Sequence, residues 1–400
     1  MDIKPRYLVM VTAQNNNKYY KQIPKGDHWV AEYGRVGAAP QTATYPMSVW
    51  DKKYNEKIRK GYVDQTDLVQ DLIATAPSEG STYKEIEDAA IAQIVEKLQK
   101  MARQAIADNY TVSSNKVTQA MVDEAQIVLT SLLTKTSVSD FNETLLHLFT
   151  VIPRRMSEVS DYLAKSDEDF GRIINHEQNL LDVMKGQVVS KTVLEDPVQE
   201  KSDQTILEKL GLEFENCTDD DIEEIKKALG ANAHQFSRAW KVTNKKTKER
   251  YDQFVRENNI TNTKLLFHGS RNENWWSIIG SGLVLKPTNA VITGKMFGYG
   301  IYFAPKAQKS IGYTSLLGSY WVRGGSDTAY MALLEVAYGK PYDVHSFDSK
   351  YYGFNYEQLQ KACPGANCLH AHAGSMLKND EIIIYKEEQC NIKYMVEIKR

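Results

Sequence analysis

The chain of 400 residues has few cysteines, no long hydrophobic run and no large excess of either charge. Its four cysteines are too few for a disulfide framework and favour a reducing compartment. No window approaches the roughly 20 apolar residues that a membrane-spanning helix needs. The first residues lack the small-residue cleavage pattern of a secretory signal, and no segment is of low complexity. We therefore expect an intracellular, soluble protein.

The composition is that of an ordinary globular protein, with 42% hydrophobic and 25% charged residues. A chain of this length has room for about two to three domains. The formal net charge of −2 conceals an asymmetry, because residues 1–63 hold 11 lysines and arginines against 5 aspartates and glutamates. A basic segment of this kind suits contact with phosphates, although a solvated basic face without a partner has the same composition.

Hydrophobic periodicity divides the chain into three parts. Residues 1–75 are predicted to form a small β-rich module, because RYLVMVTA, KYYKQI and HWVAEYGRVG are strand-like runs. Residues 84–190 carry apolar stripes at helical spacing and predict an all-α bundle. Residues 205–400 are β-rich but lack consecutive βαβ units, which favours a split, mostly antiparallel sheet. The prediction is a multidomain α+β fold with linkers at 76–82 and 187–204.

Three polar residues interrupt strand-like runs in the last third of the chain. His268 lies in LLFHGSR, Tyr302 in FGYGIYFAP and Glu381 in NDEIIIY. A strand would normally continue with an apolar residue at such positions, so an imidazole, a phenol and a carboxylate need a reason. The first two segments also contain glycines, which let the backbone turn sharply or approach a ligand closely. One such residue is usually a hydrogen-bonded core group, whereas three at strand edges predict a site.

Taken in order, LLFHGSR, VITGKMFGYGIYFAP, KSIGY and LKNDEIIIY resemble the His-Tyr-Glu signature of the poly(ADP-ribose) polymerases. Upstream, NNNKYYKQ, AEYGRVG and KKYNEKIRKGYVD resemble the Trp-Gly-Arg nucleic-acid-sensing domain of the members that respond to DNA damage. HLFTVIPRR with EQNLLDVM resembles their helical regulatory domain. The resemblance extends over nearly the whole chain. It implies a Trp-Gly-Arg-like domain at 1–75, a helical regulatory domain at 84–190 and an ADP-ribosyltransferase catalytic domain at 205–400.

The resemblance also implies NAD as the substrate and gives roles to residues around it. Transfer of ADP-ribose breaks the bond between nicotinamide and ribose C1′ through an oxocarbenium-like transition state, in which nicotinamide leaves without needing a proton. This chemistry needs a stacked ring, a clamped carboxamide and a negative charge beside the ribose. By resemblance, the Gly269 backbone and the Ser310 hydroxyl bind the carboxamide, and Tyr302 and Tyr313 stack on the nicotinamide ring. His268 and Ser270 contact the adenosine-side ribose. Glu381 accepts a hydrogen bond from the 2′-hydroxyl of the nicotinamide ribose, and Lys309 lies near the acceptor.

Glu381 bears on the product. In the resembled family a carboxylate at this position accompanies chain elongation, and an apolar residue accompanies the transfer of single units. The expected activity is therefore that of a poly(ADP-ribose) polymerase that modifies protein acceptors, itself included. Two alternatives stay open: a mono-ADP-ribosyltransferase, and a catalytically silent module that binds DNA or ADP-ribose. The presence of His268, Tyr302 and Glu381 together disfavours the silent module.

Activation by DNA is a further implication of the resemblance. Engagement of a nicked or 5′-phosphorylated end by the N-terminal module would relieve a block of NAD access by the helical domain. Tyr33 replaces the Trp of the Trp-Gly-Arg motif and can still stack on a sugar or base, and Arg35 is predicted to contact a phosphate. The lysines expected to support this contact are Lys18, Lys52, Lys53 and Lys57. Such a protein is expected in the nucleus of a eukaryote, or in the cytoplasm of a bacterial or viral host.

The segment between about 342 and 381 departs most from the family pattern. It contains Cys363, Cys368, His370 and His372 within ten residues, which is a chemically sufficient ligand set for zinc. The spacing lacks the common C-x2-C pattern, and all four residues come from one short segment, whereas a closed tetrahedral site normally draws on two elements. We therefore predict an ordinary surface loop and no metal.

Overall fold

A computed structural model describes residues 3–69, 83–110, 117–194, 203–286, 295–319, 323–374 and 377–400. The predicted linker at 76–82 and residues 195–202 of the linker predicted at 187–204 lie outside these ranges. No helix within the described ranges is long and apolar enough to cross a lipid bilayer.

The chain divides into two compact units. The first unit comprises residues 1–80 and 103–191, and the second comprises residues 81–102 and 192–400. The first unit contains the β-rich and most of the helical sequence, and the second contains the segment with the His268, Tyr302 and Glu381 motifs.

An antiparallel five-stranded sheet forms the N-terminal part of the first unit. Its strands are β1 (Arg6–Thr12), β2 (Asn16–Lys25), β3 (His28–Arg35), β4 (Gln41–Pro46) and β5 (Val63–Asp64). They lie in the order β4-β3-β2-β1-β5. Helix α1 (Trp50–Arg59) follows β4, and its buried Trp50 meets the buried Trp29 edge-on with ring centroids 5.4 Å apart. The predicted β-rich module is confirmed.

Amphipathic helices account for the next part of the sequence. They are α2 (Ala89–Asn109), α3 (Gln119–Leu132), α4 (Val138–Val151) and α5 (Asp169–Leu194). In the first unit, Phe141 of α4 stacks on Phe170 of α5 with ring centroids 3.9 Å apart. In the same unit, Arg154 and Glu177 form a buried ion pair at 3.1 Å. The predicted helical region is therefore confirmed, with an apolar core that contains one paired charge.

Two sheets make up the β structure of the described residues in the second unit. The strands of the first are β6 (Leu212–Asn216), β7 (Phe236–Asn244), β8 (Lys264–Gly269), β10 (Thr328–Val336) and β14 (Cys390–Lys399). They lie in the order β6-β7-β14-β10-β8, and every neighbouring pair is antiparallel. The central strands β10 and β14 are buried along most of their length, as their long apolar runs require.

The second sheet is smaller and carries the remaining motifs. Its strands are β9 (Ile301–Phe303), β11 (Pro341–Val344), β12 (Cys368–Ala371) and β13 (Glu381–Ile384). They lie in the order β11-β12-β13-β9, in which only the β11–β12 ladder is parallel among the described strands. Phe267 of β8 and Ala304, just after β9, exchange two backbone hydrogen bonds of 2.9 and 3.0 Å. The split, mostly antiparallel arrangement predicted from the sequence is confirmed.

Short helices connect the strands of the second unit. They are α6 (Ile206–Leu210), α7 (Asp219–Leu229), α8 (Lys245–Glu257), α9 (Trp275–Ser281), α10 (Ala307–Ile311) and α11 (Tyr356–Ala362). Helix α7 buries Ile225 and Leu229 against the apolar face of the larger sheet. Capping by Thr218, whose side chain accepts from the backbone N–H of Asp221, sets the start of α7.

The prediction of an ordinary surface loop between about 342 and 381 is wrong. This segment contains α11 and the strand β12, which lies between β11 and β13. Leu359 of α11 and Leu369 of β12 are both fully buried. The strand is only four residues long and contains a histidine, so no apolar alternation marks it in the sequence. Pairing with β11, which ends more than 20 residues earlier in the sequence, and with β13 makes it part of the core.

Candidate active site

His268 lies near the end of β8, where this strand meets β9. Its Nδ1 atom is 3.0 Å from the backbone carbonyl oxygen of Tyr302, so Nδ1–H donates and Nε2 of the neutral ring is an acceptor. Burial of the ring, assisted by the charges of Lys286 and Lys295, lowers the pKa of His268 to about 4, although the hydrogen bond to Tyr302 acts in the opposite direction. The imidazole is therefore neutral at physiological pH and can accept a hydrogen bond from a hydroxyl group.

The ring of Tyr302 is held in place by two backbone contacts of its hydroxyl group. The hydroxyl donates to the carbonyl oxygen of Gly298 at 3.1 Å and accepts from the N–H of Phe297 at 3.0 Å. Burial raises the pKa of Tyr302 well above its ordinary value. The Nζ atom of Lys295 lies 5.7 Å from the ring centroid. The phenol is therefore neutral at physiological pH, and its ring is fixed in orientation.

Glu381 begins β13, which pairs with β9. Ile383 lies opposite Tyr302 in this ladder, and Glu381, two residues before Ile383, lies on the same face of the strand. The carboxylate forms an ion pair with the ammonium group of Lys309 from α10. The two side chains are only 12% and 16% exposed. A carboxylate and an ammonium thus lie together at the edge of the smaller sheet.

The last residue of β8, Gly269, lies against the backbone of helix α10. A Cβ atom at position 269 would lie 1.9 Å from the carbonyl oxygen of Ser310, so only glycine fits there. Ser310 itself is buried. Ser270, the next residue, accepts a hydrogen bond from the Nδ2 of Asn274 at 2.9 Å.

Tyr313 follows α10 and is 39% exposed. Burial of part of its surface and the negative charge of Glu381 raise its pKa to about 12. The charge of Glu381 also contributes to the raised pKa of Tyr302. The carboxylate is therefore electrostatically coupled to both tyrosines.

The structure brings the predicted catalytic-domain residues to neighbouring elements. His268 contacts the backbone of Tyr302, Gly269 contacts that of Ser310, and Lys309 pairs with Glu381. The residues in this group, which we call the His-Tyr-Glu site, are His268, Gly269, Ser270, Tyr302, Lys309, Ser310, Tyr313 and Glu381. The sequence attached no role to Lys286, and only proximity in the fold relates this residue to His268.

Arg35, a predicted nucleic-acid residue of the first unit, is already hydrogen-bonded within the protein. The guanidinium group of Arg35 donates to the carbonyl oxygen of Asn15 at 3.0 Å and to its side-chain oxygen at 2.9 Å. It also donates to the carbonyl oxygens of Met156 and Ser157 at 3.3 and 2.7 Å. Arg35 therefore links the β module to the helical segment of the same unit. A phosphate would have to compete with these carbonyl groups.

The remaining predicted nucleic-acid residues lie on the β module and α1. Tyr33 is half-buried, and Lys57 lies 4.3 Å from the ring centroid of Tyr20 and 5.9 Å from that of Tyr33. Lys18 and Lys52 are exposed, whereas Lys53 pairs with Glu56 at 3.4 Å. Lys18 and Lys52 are therefore better placed than Lys53 to contact a phosphate.

Comparison with known proteins relates the second unit to a family. Residues 219–400 match the family model described as the poly(ADP-ribose) polymerase catalytic domain. A poly [ADP-ribose] polymerase-like protein, 100L, of Invertebrate iridescent virus 6 is 32% identical over 158 residues, which cover 39% of this chain and 81% of the viral protein. Protein 101L of the same virus is 31% identical over 185 residues, which cover 45% of this chain and 76% of that protein.

A longer relative matches almost the entire chain. Poly [ADP-ribose] polymerase 1 of Gallus gallus is 25% identical over an alignment that covers 97% of this chain. The alignment covers only 44% of the Gallus gallus protein. The chain thus spans most of the two viral proteins and less than half of this longer relative.

The close approach of β8 and α10 generates a test of the site's packing. We expect Gly269→Ala to destabilise the second unit by about 2 kcal/mol, because the added methyl group forces the backbone of α10 away. Gly280→Ala is the matched control, since its Cβ would meet nothing within 4 Å and its backbone is helical. This control is expected to be neutral or slightly stabilising. Thermal unfolding compares them, and equal melting temperatures for the two variants would contradict the packing described.

The lowered pKa of His268 generates a test of pH dependence. The folded pKa is about 4 and an unfolded histidine titrates near 6.5, so between these values the unfolded state binds more protons. Stability is therefore lost as the pH falls from about 6.5 towards 4, and His268→Gln should lose part of this dependence. Denaturant unfolding of both proteins across this range measures the difference. An NMR titration of the His268 ring with a midpoint above pH 6 would refute the assignment.

Proposed function

This chain belongs to the poly(ADP-ribose) polymerase family and is an NAD⁺ ADP-ribosyltransferase. From that premise we propose that it elongates ADP-ribose chains on protein acceptors, itself included. We also propose that DNA activates this reaction. The observation that carries the proposal is the Glu381 carboxylate, paired with Lys309 and coupled to Tyr302 and Tyr313. Chain elongation requires a group that can act both on the NAD ribose and on an incoming hydroxyl, and a carboxylate meets both requirements.

In the proposed complex, nicotinamide lies between Tyr302 and Tyr313. The fixed ring of Tyr302 offers one stacking face, and the partly exposed Tyr313 offers the other. The carboxamide of nicotinamide binds the backbone of Gly269 and the hydroxyl of Ser310. A side chain at position 269 would meet the backbone of Ser310, so glycine preserves this close approach.

The other end of NAD extends towards His268. The neutral imidazole presents Nε2 as an acceptor, which suits a hydroxyl group of the adenosine-side ribose. Ser270 follows in the same turn and is oriented by its hydrogen bond from Asn274. These contacts position the dinucleotide and take no part in bond breaking.

The reaction breaks the bond between C1′ of ribose and the pyridinium nitrogen. The electron pair of this bond passes to that nitrogen, so nicotinamide leaves as a neutral molecule and positive charge develops at C1′. Glu381 accepts a hydrogen bond from the neighbouring 2′-hydroxyl and thereby stabilises this charge. An acceptor oxygen then bonds to C1′, and its proton is released. For elongation the acceptor is a ribose hydroxyl of the growing chain, which the same carboxylate polarises.

Lys309 gives the site a second charge. Its ammonium group pairs with one oxygen of Glu381, so it restrains the carboxylate between β13 and α10. The 2′-hydroxyl and the acceptor hydroxyl would share the carboxylate with this ammonium. Lys309 is therefore expected to orient Glu381 and to lie close to the acceptor.

Glu381→Gln tests the elongation proposal. The amide keeps the size of the side chain but loses its negative charge, so we expect polymer formation to fall by about 100-fold or more while NAD binding changes little. Labelled NAD incubated with the full chain and nicked duplex DNA, with products separated by size, measures this. Glu357→Gln, at an exposed position of α11, is the matched control and should keep wild-type activity. Undiminished polymer from the Glu381 variant would sink the proposal, and single units from the wild-type chain would favour mono-transfer.

The proposed activation by DNA rests on contacts within the first unit. Arg35 and Asn15 of the β module bind the segment that connects α4 and α5: Arg35 donates to Met156 and Ser157, and Asn15 accepts from the N–H of Val159 at 3.2 Å. A phosphate that recruits Arg35 would therefore disturb the helical segment. This provides a physical connection between nucleic-acid binding and the helical region that the family resemblance identifies as regulatory.

The rate of automodification tests activation by DNA. It should be faster for the full chain with nicked, 5′-phosphorylated duplex than without it, and equal rates would contradict activation.

The exposed lysines give a quantitative test of DNA binding. In the double variant Lys18→Gln with Lys52→Gln, we expect weaker binding of that duplex, with the slope of log affinity against log salt reduced by about 2. Lys165→Gln, an exposed lysine of the helical segment, is the control. An unchanged salt slope in the double variant would exclude these lysines as phosphate contacts.

A further inference from the structure

Polar side chains cluster on one face of the parallel ladder β11–β12. Asp343 lies opposite His370 in this ladder, and His345 and His372 each follow two residues later. Because side chains alternate along a strand, these four residues belong to the same face. The rings of His370 and His372 stack with centroids 3.9 Å apart, and His345 stacks on His372 at 4.4 Å. The fold thus gathers three imidazoles and a carboxylate from two segments about 25 residues apart.

Three of these side chains point their ligand atoms at one another. The Nε2 atom of His372 is 2.7 Å from Oδ1 of Asp343, and Nδ1 of His370 is 3.9 Å from the same oxygen. One ligand atom from each of the three residues lies within 4.8 Å of the other two. Such a spacing lets all three reach a single cation with small rotations of the side chains, since metal–ligand bonds of about 2.0–2.2 Å are needed.

A second carboxylate orients His370 for this role. Its other nitrogen, Nε2, lies 3.1 Å from Oδ2 of Asp380, and Asp380 is itself fixed by the backbone N–H of Ala373 at 2.7 Å. A metal-binding histidine typically donates its second N–H to a carboxylate in this way, which fixes the tautomer with a lone pair towards the metal. The hydroxyl of the buried Tyr338 lies 2.8 Å from Nδ1 of His370, so a cation bound to this nitrogen would replace that hydrogen bond.

We propose that Asp343, His370 and His372 bind a divalent transition-metal cation, with Zn²⁺ as the preferred ion. Two imidazoles and one carboxylate form a donor set that zinc accepts, and three protein ligands leave a coordination position for water. The cation can reach the site from solvent, because the side chains of Asp343 and His372 are 49% and 28% exposed. His370, by contrast, is only 11% exposed and anchors the site in the sheet.

This ligand set differs from the one considered in the sequence. Cys363 lies at the C-terminal end of α11, and the Sγ of the buried Cys368 donates to the carbonyl oxygen of Tyr338 at 3.3 Å. The structure instead adds Asp343 from a neighbouring strand to the two histidines. The site therefore draws on two elements of the fold, which is the condition that the Cys-His segment alone did not meet.

The proposed metal site and the His-Tyr-Glu site use opposite faces of the smaller sheet. Glu381 shares its face with Ile383 and, across the ladder, with Tyr302. Asp380 precedes Glu381 directly and projects to the other face, where it contacts His370. The metal is thus not a participant in ADP-ribose transfer. Through Asp380 it would stabilise the start of the strand that carries Glu381.

A zinc titration of the full chain tests the proposal. The untagged protein, freed of metal by a chelator and dialysed, is titrated with ZnCl₂ against a chromophoric chelator. We expect one equivalent to bind, and Asp343→Asn or His372→Gln to weaken binding by at least 10-fold. Asp380→Asn should weaken it by about 10- to 100-fold. His234→Gln, which changes an exposed histidine far along the chain from the site, is the matched control and should bind as the wild type does.

Two further measurements make the outcome independent of how well the variants fold. Zinc at about 100 times its dissociation constant should raise the melting temperature of the wild-type chain by about 5 °C. Co²⁺ in place of zinc should give ligand-field bands without a thiolate charge-transfer band. Absence of saturable binding by the wild type would overturn the proposal. Equal binding by the Asp343 and His372 variants, or a thiolate band that assigns the cation to cysteine, would do so as well. Neither measurement depends on transferase activity, so the proposed function is tested separately.

Discussion

The hydrogen bonds between β8 and the end of β9 hold the two sheets of the second unit together at the functional residues. Phe267 and Ala304 exchange a pair of backbone bonds, and the imidazole of His268 adds a third to the carbonyl of Tyr302. Because these contacts fix β9, they also fix β13, which pairs with β9 and begins at Glu381. One short junction thus sets the relative positions of an imidazole, a phenol and a carboxylate that are more than 30 residues apart in sequence.

Electrostatics then gives each of these groups a distinct character. His268 is neutral because burial and neighbouring ammonium groups lower its pKa, and Tyr302 is neutral because burial raises its pKa. The charge in the site is carried by Glu381 and its partner Lys309. A neutral clamp around a single carboxylate suits a reaction in which positive charge develops at one carbon atom and no general acid is needed for the leaving group.

The smaller sheet places different chemistry on its two faces. One face carries Tyr302 and Glu381, and the other gathers Asp343, His370 and His372. The alternation of side chains along β13 separates them, because the adjacent residues Asp380 and Glu381 must point in opposite directions. In the first unit, Arg35 is predicted to contact a phosphate, but its guanidinium group donates hydrogen bonds to carbonyl groups of the helical segment. Its place in the fold gives that residue a structural contact that its motif did not indicate.

The sequence by itself determined the class of fold, the succession of β-rich, helical and mixed segments, and the residues of the His-Tyr-Glu motifs. Periodicity and short motifs are local properties, so long apolar runs such as β10 and β14 and the frames around His268, Tyr302 and Glu381 can be recognised without contacts. Tertiary structure alone decided which groups meet. The strand β12 has only four residues and includes a histidine, so no local pattern identifies it as a strand. Asp343, Lys286 and the partners of Arg35 are related to their neighbours only through pairing and packing between separate segments. Such contacts depend on register and burial, which no local pattern contains.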